Sequence, residues 1–390
     1  MDLYDFCNLY KNNIYNFDIN LEDYISEKIF ISEEPECNKG ITIKAKNNIK
    51  KGALLIAEKP IISVNKVDNT GKELPNSDIK KIELFTKLKE KLRNEPEKMK
   101  SFFKLYNGKN LNKNLEERAK NNEINDEIIL NVLNYNGLSP YKSLYVYTPL
   151  VIGLWFYSSL INHSCLPNCD YIGIGDFIFI VSIEDIPKGD ELTISYVPND
   201  IEYSERIEKL KKWGFKCQCK LCKKEEELFK NVPEKKIINE YITELNKINH
   251  SLRQPYEDNE LQNIDNYLEK NKNKVTWYEL SLCYYLLYRC TPFQYTEALI
   301  MENMKRLDKA KKYIEGKNDR FEMKIYYEYY FAYKFMKKFD MAEKIKNKIK
   351  DIYLKTFKGQ DKYVDKIVND TLDYQYSIDI QGMNGACSIF

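Results

Sequence analysis

The sequence predicts an α+β fold: a β-rich half interrupted by a helical insertion, then an all-α half. Three observations carry this. Apolar residues alternate through residues 28–63 and 128–197, broken by turns that contain glycine and proline. Residues 72–130 are charged and helical in pattern. From 232 to about 357 nearly every stretch is amphipathic at a helical period.

The first strands lie in "GITIKAKNNIKKGALLIAEKPIISV", where apolar alternation runs on both sides of a Lys-Gly turn. The insertion reads as helix in "DIKKIELFTKLKEKL". The second β-rich run, "DFIFIVSIEDIPKGDELTISYV", places two strands around a Pro-Lys-Gly-Asp turn. Helices are expected in "VTWYELSLCYYLLYRC", "YTEALIMENMKRLDKAKKYI" and "RFEMKIYYEYYFAYKFMKKFDMAEKIKNKIKDIY". The segment "YYFAYKFMKKFDMAEKIKNKI" looks like a tetratricopeptide helix–turn–helix unit, with Ala332 and Ala342 as the small residues that allow close packing. Its aromatic stripes read as core rather than as a cofactor site.

The chain of 390 residues is long enough for two or three domains. Its 61 basic and 59 acidic residues give a net charge of +2, so no specific nucleic-acid partner is expected. The lysine clusters "IKKIELFTKLKEKLRNEPEKMK" and "RIEKLKKWGFKCQCKLCKK" read as solvated helix faces. "MDLYDFCNLYKNNIYNF" lacks the basic and apolar regions of a signal peptide, and no stretch is apolar enough to span a membrane. Ten cysteines without a signal point to a reducing compartment, cytoplasmic or nuclear.

Two histidines occur in the whole chain, and one stands in "SSLINHSCLPNC". Downstream, "WGFKCQCKLCKK" holds Cys217, Cys219 and Cys222. Three clustered thiolates suit three corners of a tetrahedral zinc site, which needs a fourth ligand. No further ligand follows closely, since the next histidine is His250 and the next cysteine Cys283. The economical fourth is Cys165, with Cys169 as its rival.

"SSLINHSCLPNC", "KGDELTISY" and "FKCQCKLC", in that order, resemble the SET domain of protein lysine methyltransferases and its post-SET zinc loop. "KGITIKAKNNIKKGALLIAEKP" resembles the first strands of that domain. "LNYNGLSP" and "VIGLWFYSSLINHSC" are similar to the SMYD branch, which carries a tetratricopeptide-like helical region. One departure is plain: no cysteine lies between Cys37 and Cys165, so the MYND zinc finger of that branch is absent. Apicomplexan members of that branch also lack it, and the Asn/Lys-rich composition of this chain suits such an origin. The resemblance implies a layout of N-terminal extension (1–27), SET domain (28–200) split by a helical insertion (64–127), post-SET segment (201–231), tetratricopeptide-like helices (232–370) and tail (371–390).

The implied activity is methyl transfer from S-adenosylmethionine to a lysine side chain of a histone or non-histone protein. The alternative is a SET scaffold whose helices bind protein partners. By resemblance, Tyr196 orients the lysine amine, and Phe215 covers the cofactor and walls the lysine channel. Asn162 and His163 hold the cofactor, and His163 is not a base. Lys39 and Gly40 lie at the cofactor's carboxylate; Asn136 and Ser159 complete the cofactor set. The resemblance makes Cys165, not Cys169, the fourth zinc ligand beside Cys217, Cys219 and Cys222. Finally, "GACSIF" fits a prenylation box at Cys387, with membrane association as its consequence.

Overall fold

The computed structural model describes residues 23–34, 40–65, 77–95, 99–106, 125–139, 151–174, 177–197, 201–250, 258–291, 296–357 and four positions in 365–372. Lys39 and Cys387 lie outside the described residues. The chain divides into two compact units. One comprises Met1–Ile194, Lys212–Gly214 and Lys355–Tyr363; the other comprises Ser195–Lys211, Phe215–Leu354 and Val364–Phe390.

In the first unit the strands are β1 (Tyr24–Ile25), β2 (Ile29–Glu34), β3 (Gly40–Ala45), β4 (Leu54–Glu58), β5 (Ile62–Asn65), β6 (Val151–Leu154), β7 (Asn162–His163), β8 (Cys169–Ile174), β9 (Phe177–Ser182) and β10 (Thr193–Ile194). One sheet runs β1-β4-β9-β8, all antiparallel. Every residue of β4 and β9 is buried, so both faces of this sheet are covered. Burying side chains such as Leu55, Ile56, Ile178 and Ile180 stabilises the fold by about 1.5–3 kcal/mol each. Among the described residues, three two-stranded pairs accompany it: β2 with β3, β5 with β6, and β7 with β10. The expected turns are present. Gly52 and Gly189 adopt φ of +81° and +88°, a region open to glycine and strained for other residues.

Helices α1 (Ser77–Asn94) and α2 (Met99–Phe103) occupy the expected insertion. The helical region extends further than the alternation suggested, because α3 (Asp126–Asn136) takes residues expected to be strand. Asn125 caps it by accepting from the Ile128 amide, and Ile128, Ile129, Val132 and Asn136 fall on one buried stripe. A short helix, α4 (Phe156–Ser159), precedes β7.

The regular elements of the second unit, among its described residues, are helices: α5 (Tyr203–Leu210), α6 (Lys220–Asn231), α7 (Pro233–His250), α8 (Asp258–Asn271), α9 (Trp277–Arg289), α10 (Glu297–Ile314), α11 (Asp319–Phe335) and α12 (Phe339–Phe357). Helix α9 is buried nearly all round and packs against α7 and α10. It starts with a capping box in which Thr276 and Glu279 satisfy each other's backbone amides.

The stretch that begins at Arg206 does not lie wholly on a solvated face. Arg206 is 1% exposed and pairs with Glu225 of α6, while its guanidinium lies 5.2 Å from the Tyr278 ring centre. Lys235 of α7 pairs with Glu279 of α9, both fully buried. Burial pushes the Glu225 carboxyl up and the Lys235 ammonium down to about 8. No described helix is long and apolar enough to cross a membrane.

Candidate active site and cysteine cluster

The segment carrying Asn162 and His163 is fixed by its pairing. Strand β7 runs parallel to β10, with Asn162 opposite Thr193 and His163 opposite Ile194. Strands this short hold few ladder bonds, so side chains complete the junction. The Asn168 carboxamide donates to the Glu191 carbonyl at 2.9 Å and accepts from the Thr193 amide at 2.8 Å. The Ser164 amide donates to the Ile194 carbonyl at 3.0 Å.

Glu191 organises the other side of the motif. One carboxylate oxygen, Oε1, accepts from Asn162 Nδ2 and from Thr42 Oγ1, both at 2.7 Å. This holds the Asn162 amide in one orientation and leaves its Oδ1 as the group that can meet a ligand. Gly40, at the head of β3, has φ of +69°. A side chain there would be strained, which fits a turn where the backbone must approach another molecule.

Ser159 and Asn136 meet directly. Ser159 Oγ donates to the Asn136 carbonyl at 3.2 Å. Both donors of the Asn136 amide are used inside the fold, on the carbonyls of Tyr106 at 2.6 Å and Val132 at 2.8 Å. A ligand could therefore reach this residue only through Oδ1. The end of α3 is pinned further by Trp213, whose indole N–H donates to the Tyr135 carbonyl at 2.9 Å.

Below α4 sits a buried acid that the sequence reading did not single out. Glu58 is 2% exposed at the end of β4. Its carboxylate accepts from the Tyr157 amide at 2.9 Å, and from the Ser158 amide and hydroxyl at 3.0 Å each. Burial outweighs these three bonds and pushes its pKa up to about 7. Glu191 was missed as well, though it stands in the quoted "KGDELTISY". Nothing in a strand-like run announces that an acid will be buried. A carboxylate ending "LLIAE" after four apolar residues was the available signal.

The two expected aromatics come together. The rings of Tyr196 and Phe215 meet edge to face, 6.5 Å apart at 79°. Phe215 is 37% exposed, so part of its ring remains at the surface.

The sulfurs of Cys165, Cys217, Cys219 and Cys222 all lie within 4.8 Å of one another. Three are buried and Cys219 is half-buried. A tetrahedral zinc with bonds of about 2.3 Å separates its sulfurs by about 3.8 Å, so this donor set fits such an ion. His163 Nε2 lies 3.3 Å from the Cys165 sulfur. Cys219 also caps α6 by accepting from the Cys222 amide. Cys169 stands apart from the cluster: it is 1% exposed in β8 opposite Ser182, and burial raises its thiol far above the usual range.

The SET domain family model matches residues 40–197. A SET domain-containing protein of Acanthamoeba polyphaga mimivirus is 30% identical over 268 residues, covering 63% of this chain and 95% of that protein. The chain belongs to the SET-domain family. Histone-lysine N-methyltransferase ASHR2 of Arabidopsis thaliana is 42% identical to this SET chain over 82 residues, 19% of the chain and 20% of the relative. Histone-lysine N-methyltransferase SMYD3 of Homo sapiens is 38% identical over 72 residues, 18% of this chain and 17% of the relative. The chain thus spans a fifth or less of these two proteins. Among solved structures, the SET domain of LSMT bound to lysine and AdoHcy aligns over 76% of this chain and 86% of that one, at 13% identity and a TM-score of 0.26. Gly40, Asn136, Ser159, Asn162, His163 and Tyr196 lie inside the SET match; Phe215 and the three clustered cysteines lie beyond it.

Proposed function

We propose that this SET chain is an S-adenosylmethionine-dependent protein-lysine N-methyltransferase. The observation that carries the reading is the parallel pairing of Asn162–His163 with Thr193–Ile194, which sets the cofactor motif beside the strand that leads two residues on to Tyr196. The activated methyl is supplied by the sulfonium of S-adenosylmethionine. Asn162, held by Glu191, and His163 bind the cofactor, with Gly40, Asn136 and Ser159 contributing backbone and acceptor groups. Lys39 completes that set as the cation for the cofactor's carboxylate.

The substrate lysine must be neutral to act as a nucleophile, although its free pKa is about 10.4. The Tyr196 hydroxyl accepts from or donates to that amine and fixes its direction of attack. Alignment of this kind accounts for several kcal/mol of rate enhancement. The aromatic ring of Phe215 suits an alkylammonium, through the attraction of a cation to an aromatic face.

Several finer points belong to the same proposal. Zinc is held by Cys165, Cys217, Cys219 and Cys222, a closed set that makes the metal structural rather than catalytic. The domain layout is the one given by the resemblance: SET domain, post-SET segment, then tetratricopeptide-like helices. Support for the last comes from α11 and α12, which are joined by a three-residue turn with Ala332 and Ala342 buried. The substrate is a lysine side chain of a histone or non-histone protein.

Saturable stabilisation by S-adenosylmethionine in a thermal-shift assay, together with transfer of labelled methyl to lysine in a cell lysate, tests the reading. Binding without transfer would favour a scaffold; no binding would end the proposal.

A further inference from the structure

Glu58 is a buried acid with no part in the chemistry just described, yet its three acceptor contacts all go to the short helix that leads into the cofactor motif. Helix α4 has one turn, too short to be stable alone. Its N-cap is Trp155, which provides no side-chain acceptor, so the first amides of the turn need another partner. Glu58 supplies it from β4, through the Tyr157 and Ser158 amides.

The same two residues are also tied through their carbonyls. The Tyr157 carbonyl accepts from the Leu160 amide at 3.1 Å and the Ser158 carbonyl from the Ile161 amide at 3.4 Å. Leu160 and Ile161 are buried, and Asn162 follows directly. A continuous path of hydrogen bonds and packed residues therefore runs from Glu58 to Asn162. Strand β4, where the path starts, is paired with β9 along its length and is part of the main sheet. The Ser159 hydroxyl, in the same turn, reaches Asn136.

We propose that Glu58 is a positioning residue for cofactor binding: it anchors the turn 156–159 to the central sheet and thereby sets the placement of Ser159, Asn162 and His163. This rests on the methyltransferase reading. Retention of an acid at such a buried place is otherwise unfavourable for stability, and its raised pKa of about 7 records that cost. Glutamine has nearly the same shape but a single acceptor oxygen, so Glu58→Gln leaves one of the two amides facing an NH₂ group. Ser158→Ala removes the hydroxyl contact and keeps both amide contacts.

The experiment is titration of full-length protein with S-adenosylmethionine by calorimetry, with steady-state kinetics on the same samples. At pH 8, where Glu58 is ionised, Glu58→Gln is expected to raise Kd and KM for the cofactor about ten-fold, the effect of losing a charge-assisted bond, while kcat at saturating cofactor and KM for the protein substrate stay within about two-fold. The number of binding sites per chain is expected to remain that of wild type. A merely structural role predicts instead a lower fraction of active protein with unchanged Kd, and that result overturns the proposal. An unchanged cofactor Kd in folded Glu58→Gln also overturns it. If Glu58→Gln does not fold, Ser158→Ala decides, with a rise in Kd of about three-fold supporting the proposal and no change refuting it. Failure of wild type to bind S-adenosylmethionine would remove the methyltransferase reading and this proposal together; binding by wild type with an unaffected Glu58→Gln removes this proposal alone.

Discussion

Replacing Glu58 with glutamine should make the protein more stable at neutral and alkaline pH. The folded chain raises the Glu58 pKa from 4.5 to about 7, chiefly by burial, and only in part do the Tyr157 and Ser158 contacts restore it. The folded state therefore holds this proton more tightly than the unfolded state. Stability from that proton is fully present below about pH 4.5, falls as pH rises, and is gone above about pH 7. A shift of about 2.5 units at 1.36 kcal/mol each gives about 3 kcal/mol lost over that window. Protonated glutamic acid and glutamine are both neutral and of nearly the same shape, so wild type and Glu58→Gln should differ least near pH 4.5. By about pH 8 the variant should lead by up to about 3 kcal/mol. Urea unfolding across this range, followed by tryptophan fluorescence with Trp155 fully buried close to the site, measures the difference directly. A difference that stays constant with pH would refute the reasoning. A variant that gains stability while losing cofactor affinity would show a site that trades one for the other.

Three further outcomes are expected. Cys219→Ser should lose bound zinc by elemental analysis and raise amide exchange in Lys220–Asn231, because a structural metal's binding energy is folding energy. Arg206→Leu should destabilise the helical unit by about 3–5 kcal/mol in chemical unfolding, since it strands a fully buried Glu225; Arg206→Leu combined with Glu225→Leu should recover most of that loss. Ile180→Ala, which empties a fully buried place in the central strand of the sheet, should cost about 2–5 kcal/mol in the same measurement.

Much of the fold was legible because periodicity and burial agree. The helices from 233 onward carry apolar residues on clear stripes, and the turns at Gly52 and Gly189 stand where the sequence places Lys-Gly pairs. Residues 126–136 were not legible in this way. In "EIILNVLNYNGL" the apolar residues satisfy a strand's alternation and a helix's stripe at once, and the Asn125 cap together with packing on α1 decides for helix. Arg206 was not legible either. A basic run such as the one from Arg206 to Lys224 reads as solvated because each residue is considered alone. Arg206 is buried because Glu225, nineteen positions later, is buried with it. The grouping of Cys217, Cys219 and Cys222 followed from their spacing, whereas Tyr196, Phe215 and Cys165 followed from the family resemblance. Glu58 and Glu191 did not, because their role is to hold backbone and side chains of the motif, and that role is visible only when the strands are paired.

The most direct test is methyl transfer itself. Purified protein is incubated with S-adenosylmethionine labelled at the methyl group and with cell lysate as the source of protein substrates, and the products are mapped by mass spectrometry alongside a Tyr196→Phe sample. The predicted result is label on lysine side chains of particular proteins. Tyr196→Phe should bind the cofactor normally but show a lower rate or a different number of methyls per lysine. Cofactor bound tightly with no lysine labelled, or a Tyr196→Phe protein with the full rate and the same product pattern, would contradict the account.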